Sequence, residues 1–333
     1  MALIKLNNRS SEDNAIHGRR NLIINGAMQV AQRGTSFTAS GFSLDRWYHQ
    51  LSGGTSTTTQ ETFSLGSEVA GCSKYLKQDT STGDNYCGLV YKVEDVKSIH
   101  QGKVTFSFYA KGTNPAGGNF TVRLARITSG STFFDTPLNS TLTLTSTWQR
   151  FVYTFDVAST SGMGTIDNTS HLYISIHQAD GDAGTAAWQL NLTGVQLESG
   201  DTATPFEHRS YGEELSLCSR YYHTSFSGET TIGGSHPASY SGKVFSWCDQ
   251  YGSSPDRVAF NYQWPVQMRD IPTVTMYGNA WTSARMSKYN GGASEYTIDY
   301  ASGISRNGLG GYYDVAGTNG DFVVAYVEAS AEL

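Results

Sequence analysis

The sequence predicts an all-β protein: two tandem antiparallel β-sandwich (jelly-roll-like) domains joined by a short α-helix, with an extended N-terminal arm. Three observations carry this. Only 16% of the 333 residues are charged, against about 25% in an average globular chain. Glycine (36) and tyrosine (20) are abundant, with Ser and Thr throughout, which suits pleated strands separated by turns. Finally, alternation with period two recurs along most of the chain. The length leaves room for two domains at roughly 100–200 residues each.

The arm spans 1–20, polar and irregular, and ends in Arg19-Arg20 before an apolar segment. The first sandwich domain covers 21–209. Within it Val104–Phe108, Phe120–Ile127, Trp148–Val157 and Leu172–Ile176 each show one apolar and one polar face, as in sheets packed on one side. Their separators, TNPAGGN, TSGS, STSGMG and ADGDAG, are turn chemistry. In the last strand Trp188, Leu190 and Leu192 alternate, and the apolar set then resumes at Val195 and Leu197. That slip at Thr193-Gly194 predicts a β-bulge that keeps both halves on the core. A linking helix is expected over 210–223: Ser210 and Glu213 form a capping-box start, and Leu215, Cys218 and Tyr222 follow at spacings of three and four. Strands return over 224–333, at Val258–Trp264, Thr273–Met276 and Phe322–Val327, with Pro265 ending the first of these. The stretch from Ala280 to Thr318, rich in Gly, Ser, Asn and Tyr, is expected to form long exposed loops.

Several function classes fall away. A net charge of −6 with no Lys/Arg-rich run does not suit a nucleic-acid partner, which needs a basic stripe to neutralise phosphates. No apolar run approaches the roughly 18 residues of a membrane span. The first residues lack the apolar core and cleavage site of a secretory signal, so folding in a cytoplasm is expected. In that compartment the sequons at Asn119, Asn139, Asn168 and Asn191 are chance products of a Thr/Asn-rich chain. Cys72, Cys87, Cys218 and Cys248, which form no CxxC pair, are expected as buried, reduced thiols.

No nucleophile elbow, zinc-protease helix, P-loop or dinucleotide fingerprint occurs. Asp180 and Asp182 in ADGDAG could hold a structural calcium, but they lack the longer ligand series of an EF-hand, so a solvated turn is expected and no cofactor. Glu198, Asp201, Glu207 and His208 gather within eleven residues. Glycoside hydrolysis needs two carboxylates facing each other across the bond, about 5–9 Å apart. Residues this close in sequence, between a strand and a helix, are expected instead to cap and hydrogen-bond the crossover. Trp47, Trp148, Trp188, Trp247 and Trp264 sit in alternating patterns and are assigned to the core. Trp281, Tyr289, Tyr296, Tyr312 and Tyr313 stand in polar, glycine-rich surroundings. They are the candidate glycan-contacting aromatics, with packing within or between subunits as the alternative.

The stretch NLIINGAMQVAQRGTSF with DRW, together with VQLESGDTATPFEHRSYGEELSLCSRYY, resembles a family of bacteriophage tail-fibre and virion-fibre proteins, especially from phages of aquatic and marine bacteria. MALIKLNNRS, PVQMRDIPTVT and YVEASAEL are similar too. The resemblance covers the arm, first domain and helix, and only the framing strands of the distal domain. It implies a non-enzymatic virion component, assembled in the host cytoplasm and commonly a homotrimer. Its arm (Ile4, Leu6, Arg19, Arg20) would attach to other phage tail or capsid proteins. A jelly-roll domain similar to carbohydrate-binding modules would follow, with a tip domain recognising a bacterial surface glycan. Two rivals stand beside this reading: an adaptor or decoration protein making protein contacts, and a polysaccharide-degrading tailspike using Glu198 with Glu207 or Asp201.

Overall fold

The computed structural model describes residues 20–333 except 83–86, 100–101, 117, 130, 136–139, 160, 179–186, 227–241, 250–255, 279–282, 284, 289–294, 298–302 and 316–321. The chain is all-β and antiparallel, with one described α-helix. That helix is not long and apolar enough to cross a membrane.

The first body opens with short strands β1 (Ser36–Phe37), β2 (Gly41–Phe42) and β3 (Trp47–Gln50). The hairpin β4 (Thr55–Thr62) and β5 (Lys74–Thr82) follows, then β6 (Gly88–Glu94), β7 (Gly102–Thr113) and β8 (Phe120–Thr128). Next come β9 (Ser131–Phe134), β10 (Ser140–Leu142), β11 (Gln149–Val157), β12 (His171–Gln178) and β13 (Trp188–Ser199). They build a six-stranded sheet, β1-β4-β5-β13-β7-β11, and a seven-stranded one, β10-β8-β12-β6-β3-β2 with β9 on β8. From β6 to β8, and again from β11 to β13, the chain changes sheet at every strand, which is the jelly-roll pattern. Inward residues Leu76, Val104, Phe106, Phe108, Phe155 and Leu190 of one sheet meet Leu89, Val122, Leu124, Leu172 and Ile174 of the other in one core.

β13 is bulged as its sequence requires. Its register against β7 shifts between Thr193 and Gln196, and Gly194 lies in the left-handed region at φ +59°. Leu190, Leu192, Val195 and Leu197 are all fully buried. The residues freed at the bulge bond elsewhere: Val195 N–H donates to the carbonyl of Gly26, and Asn21 Nδ2 donates to the carbonyl of Val195.

The helix α1 runs Tyr211–Ser219, capped by the Ser210 side chain, which accepts from the backbone N–H of Glu213. Its buried face differs from the expected one. Cys218 and, just beyond the helix, Tyr222 are buried, but Leu215 is only half-buried and Glu214 lies 5% exposed. The Glu214 carboxylate accepts from Asn25 N–H (2.6 Å) and from Arg209 (3.3 Å), so it ties the helix to the start of the first body.

The second body comprises β14 (Tyr222–Thr224), β15 (Val244–Asp249), β16 (Asp256–Gln263), β17 (Thr273–Tyr277) and β18 (Arg285–Lys288). It closes with β19 (Glu295–Thr297), β20 (Ile304–Ser305), β21 (Gly308–Val315) and β22 (Phe322–Ser330). All nine form one sheet around β22, whose first half pairs with β15 and β18 and whose second half pairs with β14 and β17. Alternate residues Val323, Ala325, Val327 and Ala329 join Val258, Phe260, Trp264 and Met276 in a separate core. β16 ends at Gln263, before Pro265.

Helix α1 is not the sole connection between the bodies. Just past β22, Glu332 (side chain 5% exposed) is gripped by Arg33 at 3.1 Å and by Arg46, whose side chain is 1% exposed. The Arg46 guanidinium stacks 3.5 Å over the Tyr221 ring, and that of Arg33 lies 3.5 Å over Tyr222. Lys92 donates to the Leu333 carbonyl (2.6 Å). Arg269 donates to the carbonyls of Ala331 (2.9 Å) and Asn168 (2.6 Å). Arg220 pairs with Glu94 at 2.7 Å, and Tyr221 donates to the same carboxylate. The junction is therefore a polar clamp of several separate contacts, buried at Glu332 and Arg46 and part-exposed elsewhere.

Candidate functional site

The acidic cluster serves the crossover. Glu198, fully buried, accepts from Gln196 Nε2 (2.8 Å), from Thr204 N–H (2.8 Å) and from the Thr204 hydroxyl (2.8 Å). Glu207 accepts from the backbone N–H groups of Arg20 (2.9 Å) and Asn21 (3.3 Å). The His208 ring stands edge-on to Phe206 at 5.0 Å and lies against the backbone at Gly71. Asp201 bonds its neighbour Thr202. Each group is engaged in holding the segment between β13 and α1.

Among the predicted attachment residues, Arg20 is seated on this crossover and donates from Nη2 to the Pro205 carbonyl (2.8 Å). Ile4, Leu6 and Arg19 lie outside the described residues, as do Asp180, Asp182, Trp281 and Tyr289. Tyr296 is placed by its backbone on β19, and Tyr312 and Tyr313 on β21 opposite Ala259 and Val258. Their side chains lie outside the described set. Among the described residues no group of three or more His, Cys, Asp or Glu side chains converges as a metal site. Cys72, Cys87 and Cys218 are buried, and burial raises the Cys72 and Cys218 thiols above their usual range.

Trp148 corrects the sequence reading. Trp47, Trp188 and Trp264 are core residues at 2%, 1% and 5% exposure, but Trp148 is only partly buried and lies outside the sandwich core. It immediately precedes β11 and has the parity of Arg150, Val152 and Thr154, opposite to Phe155 and Val157, which enter the core. Parity therefore turns its ring onto the outer face of the six-stranded sheet. There it meets Phe63 (5.3 Å) and Tyr75 (5.5 Å), which lie 4.7 Å from each other. The Lys111 ammonium sits 5.4 Å over the Trp148 ring, within cation–π range.

Around this cluster the face is polar. From β5 it presents Tyr75, Lys77, Asp79 and Ser81; from β4, Thr57, Thr59 and Glu61; and from β13, Gln189, with Asn191 of the same parity buried, set in rows by the registers Thr59–Lys77–Asn191–Lys111 and Thr57–Asp79–Gln189–Thr113. A groove of about 580 Å³ lies along Thr55–Glu61 and Lys77–Ser81, and Glu61 is the register partner of Tyr75. Groove and aromatic cluster are thus contiguous. Lys77 and Asp79 are joined at 2.8 Å. That hydrogen bond raises the Lys77 ammonium and lowers the Asp79 carboxyl from their ordinary ranges. Gln189 adds a donor to Asp79 at 3.3 Å, and Thr59 donates to Glu61 at 2.7 Å. Burial, with help from Glu61, keeps the Tyr75 phenol above its usual range and therefore protonated at neutral pH. Apolar ring faces beside pre-ordered polar groups, on a rigid sheet, can take both the CH and the OH surfaces of a polyol.

A second cavity, of about 380 Å³, lies at the junction between Leu22, Ile24, Tyr91, Glu94 and Tyr221. Its polar groups are largely those that clamp the two bodies.

No family model and no curated protein matches the chain. Among solved structures, a putative sugar-binding protein from Bacteroides thetaiotaomicron is 15% identical, with 54% of this chain and all of that one covered and a TM-score of 0.35. A family 11 carbohydrate-binding module from Clostridium thermocellum is 13% identical, over 51% of this chain and 99% of that one, at 0.31. The enzymatically active domain of tailspike protein 4 of bacteriophage CBA120 is 8% identical, over 54% and 21%, at 0.32. Likeness at these scores carries no argument about ligand or activity.

Proposed function

We propose that this chain is a non-enzymatic glycan-binding fibre protein of a bacteriophage particle. The observation that supports glycan recognition is the Phe63–Tyr75–Trp148 cluster on the otherwise polar outer face of the six-stranded sheet, continuous with a groove of about 580 Å³. Rings left part-exposed on a polar face, with Gln, Thr and paired charges around them, suit sugar stacking and hydroxyl bonding. The fibre role rests on the sequence resemblance. In it the N-terminal arm attaches to tail or capsid proteins, three copies assemble, and residues 224–333, with the aromatics Trp281, Tyr289, Tyr296, Tyr312 and Tyr313, face the host cell.

The test is retention of the full chain on purified surface polysaccharide from susceptible bacteria. Trp148→Ala and Tyr75→Ser, each with wild-type circular dichroism, lose retention if the sheet face binds. Retention unchanged in both variants removes the sheet face from the reading and leaves the distal loops.

A further inference from the structure

We infer that the sheet face takes an extended, uncharged glycan chain, without uronate, sulfate or phosphate groups. This rests on the reading of that face as a glycan site. Among the described residues its charges are two cations and two carboxylates, equal in number, and each is already engaged within the face. Lys77 is paired with Asp79 at 2.8 Å, Lys111 lies over the Trp148 ring at 5.4 Å, and Glu61 holds the Thr59 hydroxyl at 2.7 Å. The neighbouring Arg150 is also engaged: its guanidinium donates to the Ser107 hydroxyl and the Thr204 carbonyl and lies over Tyr109. An acidic chain would need an uncommitted guanidinium or ammonium to meet it. To gain a cation in the groove it would have to break the Lys77–Asp79 pair, and it would then stand beside the carboxylates of Asp79 and Glu61, like charges that select against a partner.

A neutral chain meets no such conflict. The carboxylates keep lone pairs free to accept sugar hydroxyls, the Thr57, Thr59 and Ser81 hydroxyls line the same groove, and the rings of Tyr75 and Trp148 take the CH faces. The outward side chains of β5 from Tyr75 to Ser81 span six residue steps, or about 20 Å at the strand rise. That length serves several consecutive sugars rather than one terminal residue.

The test uses the full chain and one backbone in two charge states, polygalacturonate and its fully methyl-esterified form, with dextran, galactomannan and hyaluronate beside them. Affinity electrophoresis and calorimetry are run from about 20 mM to about 500 mM NaCl, a range over which screening of exposed charges becomes nearly complete. The expected result is binding to one or more neutral polymers, strengthening with oligosaccharide length. Acidic forms bind at least about tenfold more weakly, and the neutral affinity changes by less than about twofold with salt. Asp79→Lys narrows the gap. Tighter, salt-sensitive binding of an acidic polymer, lost in Trp148→Ala, overturns the uncharged class and leaves the site standing. Equal binding of both charge states also overturns it. No binding to any polymer, or binding indifferent to Trp148→Ala and Tyr75→Ser, overturns the sheet face as a glycan site and this inference with it.

Discussion

Replacing Glu332 by Gln removes one charge from the clamp between the two bodies and leaves its shape almost unchanged. In the wild type the Glu332 carboxylate sits between Arg33 and Arg46, and the Arg46 side chain is only 1% exposed. Arg46 has little access to water with which to replace its partner. Its other contacts, the Lys92 carbonyl and the rings of Tyr91 and Tyr221, carry no full negative charge. Breaking a buried pair from one side costs about 3–5 kcal/mol, because the remaining charge stays desolvated. An exposed pair is the control: Lys103–Asp156, with side chains 50% and 66% exposed, should lose less than about 1 kcal/mol in Asp156→Asn. Urea unfolding, followed by tryptophan fluorescence and circular dichroism, measures both variants. Glu332→Gln should move the midpoint several times further than Asp156→Asn, and Arg46→Met combined with Glu332→Met should recover part of the loss. A Glu332→Gln midpoint within about 1 kcal/mol of wild type would refute the view that this carboxylate holds a buried cation.

Three further predictions concern other parts of the molecule. Gly194→Val forces a β-branched residue to φ +59° against the Tyr109 ring, which should cost about 2 kcal/mol or more by urea unfolding. His223, beside Tyr262 and Trp264, is pushed down by burial to about 4, and burial lowers His49 and His171 too. Folded pKa values below the unfolded one mean stability is complete above pH ~6.5 and is lost as pH falls toward 4. His223 contributes up to about 3 kcal/mol of that loss, which His223→Gln should remove from a stability-versus-pH curve. Trp148→Ala should abolish polymer retention yet lower stability by only about 1–2 kcal/mol, since the ring is not part of the core.

The parts of the fold legible in the sequence were those where burial and apolarity coincide. β7, β8 and β12 alternate cleanly, and the bulge of β13 was readable because a glycine stood where the apolar phase slipped. The hairpin β4–β5 was not readable. Its inward positions Ser56, Thr58, Gln78 and Thr80 are polar and buried, and three of them bond one another, Thr80 to Ser56 at 2.9 Å and Gln78 to Ser56 at 3.3 Å. A pattern that counts only apolar residues passes over such a strand, and with it the groove on its other side. Trp148 carried a usable signal in its parity with Arg150 and Val152, masked by the habit of placing tryptophan inside. The clamp had no local signal, because Arg46 and Glu332 are 286 residues apart in the chain and each reads alone as a surface charge.

That clamp also bears on how the molecule would carry load. A lone helical tether would take a pull in series, unravelling turn by turn at low force. Here the grip on Glu332, the Arg269–Asn168 bond and the Arg220–Glu94 pair join the bodies at separate points and share the load in parallel. They would have to fail together. A tug on the distal sheet would therefore reach the first sandwich as force and torque, with little slack in between.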